Sequence, residues 1–136
     1  MTAPHRTPTR APWTLFALAA VSGALAVAMG AFGAHGLEGR VSPERLDTWG
    51  TAATYALGHA APALIASALA AWSGRRAALV AAVLFLVGTV LFSGSLYTLV
   101  LLDLPVMGAV APLGGVSFIA GWAMLAWEGW QMRAGL

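Results

Sequence analysis

Residues 77–102 read AALVAAVLFLVGTVLFSGSLYTLVLL. Arg76 precedes them and Asp103 follows, so 26 consecutive residues carry no charge. A membrane-spanning helix needs about 20 mostly apolar residues, and this stretch supplies one with little to spare. The same spacing recurs along the chain. Arg10 to Glu38 leaves 27 uncharged residues, Asp47 to Arg75 leaves 27, and Asp103 to Glu128 leaves 24. Four such gaps use up nearly all of the 136 residues. A soluble helix of this length keeps a polar outer face; these stretches have none. The chain is 60% hydrophobic and 9% charged, against roughly 45–50% and about 25% in soluble domains. The reading is an all-α, four-transmembrane-helix bundle in a lipid bilayer.

The expected spans run from Trp13 to Ala34, Thr54 to Trp72, Ala77 to Leu101 and Gly108 to Trp130. Residues 1–12 hold three prolines and two arginines and read as a disordered cytoplasmic tail, and residues 131–136 as a cytoplasmic C-terminal end. A cleaved signal is the alternative for the first span, but its apolar stretch exceeds the 7–15 residues usual in such segments. Ser42-Pro43-Glu44 has the form of a helix start. It predicts a short interfacial helix between spans one and two that runs on into span two. Trp13, Trp49, Trp72, Trp127 and Trp130 fall at span ends, where indole rings favour the headgroup region.

Five of the seven arginines, Arg6, Arg10, Arg75, Arg76 and Arg133, lie on one side of this topology; Arg40 and Arg45 lie on the other among three acids. The positive-inside rule then places both termini in the cytoplasm, in a cytoplasmic (inner) membrane. Seven scattered arginines are too few for a nucleic-acid surface. With no cysteine, disulfides, thiolate metal sites and cysteine nucleophiles are excluded.

Helices in lipid associate through small residues that let backbones approach. Ala19, Gly23, Ala26, Gly30 and Gly33 form such a stripe on span one. Gly114, Ser117 and Gly121 share a face of span four, and Thr89, Ser93 and Tyr97 share a face of span three beside Gly94, read as a second point of close approach. A hydroxyl facing lipid is costly unless bonded, so that seam is expected against a neighbouring helix, with the serines as packing glue.

Depth collects the polar residues at one end. His35, Tyr55, His59, Ser93, Ser95 and Tyr97, with Gly114 and Gly115, all fall toward the outer face and form the candidate functional cluster. His59 sits deepest, one turn from Tyr55, and a Tyr55–His59 hydrogen bond is expected; Pro62 frees the carbonyl of Gly58 nearby. An ionisable residue within a span is a functional candidate. No buried acid is expected at mid-membrane, which argues against proton-coupled antiport. No GxSxG elbow or HExxH motif occurs, so neither catalysis nor a cofactor is expected. The reading is a non-enzymatic interaction or membrane-organising role, with a homo-oligomer or another membrane protein as partner. The alternatives are a small-solute or ion pathway in an oligomer, and a metal or haem site through His35 and His59.

The motifs GAFGAHGL (30–37), SPERLDTW (42–49), TAATYALGHA (51–60), FSGSLY (92–97) and APLGGVSFIAGW (111–122) resemble, in order and spacing, the YgdD/YwdK-like family of small membrane proteins, a domain-of-unknown-function family with small transmembrane relatives in eukaryotes. The resemblance implies a four-helix integral membrane protein, in bacteria of the cytoplasmic membrane, and brings no activity, substrate or cofactor. It maps the family's histidines to His35 and His59, its aromatic pair to Tyr55 and Tyr97, and its glycine turn to Gly114 and Gly115. The N-terminal tail and Trp49 look peculiar to this sequence.

Overall fold

The structure, a computed structural model, describes residues 10–135. Among them there are helices and no strands. Helix α1 (Arg10–Phe32) ends in a wide π turn, Gly33–Leu37, and α2 is Pro43–Ser73. Helix α3 (Arg76–Thr89) passes through a second π turn, Val90–Gly94, into α4 (Ser95–Leu102). A short 3-10 turn, Pro105–Ala109, leads into α5 (Ala111–Arg133). These make four helical stretches long and apolar enough to cross a membrane: Arg10–Leu37, Pro43–Ser73, Arg76–Leu102 and Pro105–Arg133. Of the expected tail, residues 10–12 are instead the first turn of α1, where Pro12 needs no N–H partner. Residues 1–9 lie outside the described part.

The expected interfacial helix is the opening of α2, with no break before the span. Ser42 caps it by accepting from the Arg45 backbone N–H at 3.4 Å, and Pro43 stands at the first helical position. At 31 residues α2 is about 46 Å long, against a hydrocarbon core of about 30 Å, so its first turns stand outside the apolar layer. There the Ser42 hydroxyl and the backbone N–H of Glu44 hold the Glu44 carboxyl below its ordinary pKa.

Helix α1 packs along α2, α2 along α3, and α3 along α5, while α1 meets α3 only lightly. The span-one stripe is the α1–α2 seam. Ala19 and Ala26 are buried on it, and a Cβ on Gly23 would lie 3.3 Å from the Ala60 methyl. At Gly33 a Cβ would come within 2.5 Å of the Trp49 ring. Trp49 is therefore no headgroup anchor: it is 1% exposed, and its indole N–H donates to the Met29 carbonyl at 2.7 Å. Trp13, Trp72, Trp127 and Trp130 are exposed, as expected of belt residues. The α3–α5 contact is tighter still. A Cβ on Gly114 would meet the Phe92 amide nitrogen at 2.3 Å, and one on Gly121 the Phe85 ring at 2.9 Å. Gly88 faces Gly114 from α3. Between the seams, Ala63, Ala66, Ala81, Ala82, Phe85 and Phe118 form the core.

Two arginines pin the ends. Arg45, in the first turns of α2, donates to the Leu99 carbonyl at 3.0 Å and pairs with Asp103 at the end of α4. Arg75, in the α2–α3 turn, donates to Gln131 and lies 2.5 Å from the carboxylate of Glu128, which is fully buried on α5.

Candidate functional site

The end carrying the chain termini is called proximal and the opposite end distal. His35 lies in the π turn ending the first span, and Tyr55 and His59 follow three and four turns into α2. Ser93, Ser95 and Tyr97 sit beyond the middle of the third span, and Gly114 and Gly115 open α5. Seven of the eight belong to the distal half. His59 does not reach the outer face expected of it: α2 starts at Pro43, well before the expected start of span two. That puts His59 just past the helix midpoint, beside Phe85 and Trp122 at mid-depth. The structure divides them between two faces.

On the α1 side, Ser93 is 1% exposed and its hydroxyl donates across helices to the Ala52 carbonyl at 2.7 Å. Thr89 donates to the Phe85 carbonyl at 3.0 Å, and Ser95 to that of Phe92 at 2.9 Å. Ser117 mirrors Ser93 on the other seam, donating to the Leu84 carbonyl at 2.7 Å. The serines thus join helices or close their own turns, as hydroxyls do in apolar surroundings. Tyr97 packs against Trp49 with ring centres 4.5 Å apart and planes tilted by 47°, and its buried hydroxyl has no hydrogen-bond partner among the described residues. Gly94 departs from expectation: nothing lies within 4 Å of where its Cβ would be, so it is not a point of helix contact. It lines, with Ser93 and Tyr97, a groove of about 420 Å³ between α1 and the third span. Replacing Ser93 by alanine is expected to cost about 0.6 kcal/mol, and at most about 1.7, from the interhelical bond to Ala52; reversible denaturation in mixed micelles measures it.

On the α5 side, His59 lies flat on Phe118, ring centres 3.6 Å apart, with the Phe85 ring at 5.9 Å. Its Nδ1 is 2.8 Å from the Tyr55 carbonyl, and the Trp122 indole N–H points at its Nε2 over 3.4 Å. A carbonyl only accepts and an indole only donates, so the partners assign the tautomer with the proton on Nδ1. The expected Tyr55–His59 bond therefore runs to the main chain, while the two rings stack at 5.8 Å. Tyr55 is 43% exposed and rests on Phe92. Gly115, three residues before Phe118, has open space above it, unlike its neighbour Gly114.

The chemistry available here is limited. The serine hydroxyls are committed to carbonyls, and among the described residues none is hydrogen-bonded to a histidine or carboxylate that could act as base. Both nitrogens of His59 are engaged, so ligating a metal through Nε2 would displace Trp122. His35 is exposed on another element, and the fold does not bring the two histidines face to face. Among the described residues no group of three or more His, Asp or Glu side chains could hold a metal ion.

Several contacts lay beyond the sequence reading: the burial of Trp49, Gly88 as the partner of Gly114, and both arginine clamps. Depth was the available signal for the clamps, since Arg75 with Glu128, and Arg45 with Asp103, fall at matching span ends.

Four apolar helices, glycine seams and a polar cluster closed largely on itself define a small multi-pass helical membrane protein. The family described as "Protein of unknown function (DUF423)" matches residues 29–115, and the chain belongs to that family. The chain is similar to the UPF0382 membrane protein YwdK of Bacillus subtilis, 44% identical over 109 residues, covering 79% of this chain and 89% of YwdK. It is also similar to the UPF0382 membrane proteins SAB0533 of Staphylococcus aureus, 42% identical over 115 residues, and SSP2132 of Staphylococcus saprophyticus, 43% over 108. Each alignment covers 79% of this chain, with 88% and 89% of those two relatives. No solved structure matches the chain.

Proposed function

We propose that the protein acts without catalysis, as an interaction or membrane-organising component of the cytoplasmic membrane with both termini in the cytoplasm. Its working surface is the distal α2–α5 face, and its partner is a helix of another membrane protein or of a second copy. The observation that supports this is the contrast between neighbours in the cluster. Ser93, Ser95 and Gly114 are consumed by the fold, whereas Tyr55 is exposed and Gly115 has open space above it. Glycine that touches nothing within its own chain is where a partner's backbone can come close. The arginine distribution supports the orientation, with Arg75 and Arg133 proximal and Arg40 and Arg45 distal beside Glu38, Glu44 and Asp47.

The test is a photoreactive amino acid at position 55 in the membrane of living cells. The expected result is a discrete adduct, reduced at least fivefold when Gly115→Leu fills the space beside it. Diffuse labelling of lipid alone, or an adduct indifferent to Gly115→Leu, would refute the reading.

A further inference from the structure

The proximal end carries side chains that neither the bundle nor the distal surface uses. Arg10 opens α1, Arg76 opens α3 and Arg133 closes α5. All three are exposed, and among the described residues none of them has an acidic partner. The acid that could have neutralised them is Glu128, but it is fully buried and its charge is met by Arg75. The described proximal surface is therefore left with cations alone. The distal end differs: Glu38, Glu44 and Asp47 are exposed there beside Arg40, and Arg45 is paired with Asp103.

Each of these arginines has an exposed tryptophan close by in the chain. Trp13 follows Arg10 by three residues on α1, and Trp130 precedes Arg133 by three on α5. Each tryptophan is thus about 4.5 Å deeper along its helix than its arginine. Trp72 and Arg76 lie on either side of the Gly74 turn. The Arg133 guanidinium sits over the Trp130 ring, 5.5 Å from its centre. Trp13, Trp72 and Trp130 are each more than half exposed. The indole N–H bonds made among the described residues belong to Trp49 and Trp122 instead. Indole rings settle at headgroup level, so an arginine just outside them, with its apolar stem along the surface, holds its charge among the phosphates.

Chemistry separates the partners such a surface could take. An acidic segment of a soluble protein would satisfy the guanidinium groups but leave no use for exposed indoles at headgroup depth. A zwitterionic phospholipid brings a phosphate, yet the ammonium in the same headgroup cancels its charge. An anionic phospholipid offers phosphate without that cation, and guanidinium meets phosphate through paired hydrogen bonds. Helices α3 and α5 are packed neighbours, with axes about 8–10 Å apart in such contacts. That is about one Debye length at physiological salt, so the charges of Arg76 and Arg133 reinforce each other. We propose that the collar of Arg10, Arg76 and Arg133 selects anionic phospholipids from the leaflet it meets. The guanidinium groups bind the phosphates, and the indoles lie at the ester level below them.

This inference stands independently of the partner-binding reading, which uses the distal face, and of the orientation, since both leaflets of a test vesicle carry the same lipid. The full chain is reconstituted in vesicles of phosphatidylcholine and phosphatidylglycerol, with one lipid or the other brominated on the upper acyl chain to quench the tryptophans it touches. Four of the six tryptophans, Trp13, Trp72, Trp127 and Trp130, lie toward the proximal end, so quenching reports chiefly on the collar. Wild type should prefer phosphatidylglycerol at least about fivefold at low salt, the effect of a single arginine near an anionic surface. The preference should vanish as salt rises from about 0.01 M to about 1 M and the Debye length falls from about 30 Å to about 3 Å. Arg10→Gln, Arg76→Gln and Arg133→Gln combined should bring it close to one. Arg40→Gln, an exposed distal cation, is the control and should leave it unchanged. If the triple variant does not fold, the salt series on wild type decides alone. The proposal is overturned if wild type shows no preference, as expected if the arginines serve an acidic protein segment. It is equally overturned if the preference survives about 1 M salt, if the triple variant keeps it, or if Arg40→Gln removes it.

Discussion

Gly114→Ala should largely abolish the native bundle, while Gly115→Ala, one residue on, should be close to neutral. The new methyl at position 114 would lie 2.3 Å from the Phe92 amide nitrogen and 2.8 Å from the Gly88 carbonyl oxygen. Both obstacles are backbone, so no side-chain rotation relieves them, and α3 and α5 must separate along their length. Overpacking usually costs about 1–3 kcal/mol; two backbone contacts below 3.0 Å put this case at or beyond the top of that range. At Gly115 nothing lies within 4 Å of the added methyl, and alanine is the better helix former by about 1 kcal/mol. Extraction yield, monodispersity and thermal midpoint in detergent measure both. Equal stability of the two variants would mean that the α3–α5 seam is not as close as described.

Arg75→Ala should lower stability by about 3–5 kcal/mol, because it leaves Glu128 as an uncompensated buried carboxylate. Glu128 is 0% exposed, and its ion pair with Arg75 is a charge contact at 2.5 Å rather than an aligned hydrogen bond. Arg75 also binds Gln131, so the substitution loosens the proximal end of α5 as a whole. Buried ion pairs replaced together by apolar residues of similar volume are often neutral, so Arg75→Met with Glu128→Leu should recover much of the loss. A double-mutant cycle on denaturation midpoints reads the coupling. A single-variant cost under about 1 kcal/mol would show that water reaches the pair.

How much of this was legible in the sequence varied with the range of the interaction. The spans were, because charge is excluded from hydrocarbon and the gaps between charged residues mark the crossings. The α1–α2 seam was, because a small residue recurring every three or four positions has few uses in lipid besides close approach. Trp49 was misread, since a tryptophan at a span end has the same local signature whether it faces headgroups or a neighbouring helix. Its burial depends on Gly33, sixteen residues earlier, having no side chain. Gly94 and Gly114 look alike in sequence, yet one opens a groove and the other closes a seam. Only the path of the facing helix distinguishes them. Glu128 read as an acid at a span end, and its burial depends on Arg75, more than fifty residues before it. Within the candidate cluster, depth was legible except at His59, whose position depends on how far α2 extends before the span. Face was not: Tyr55 and His59 meet α5, whereas Ser93 meets α2 and Tyr97 packs at a tilt on Trp49.

The two arginine clamps bear on the order in which the molecule is made. Arg45 and Arg75 flank the second span, while their partners Asp103 and Glu128 are synthesised 58 and 53 residues later. A nascent chain with only its first helical hairpin inserted has an alanine–glycine zipper already closable and two cations still waiting at opposite membrane surfaces. Each surface is then sealed by a different arrival, the distal one by the third crossing and the proximal one by the fourth. Chains stalled after the second crossing should therefore be dimly held intermediates, hairpins whose charged ends remain open to chaperones and proteases until the ribosome delivers the rest.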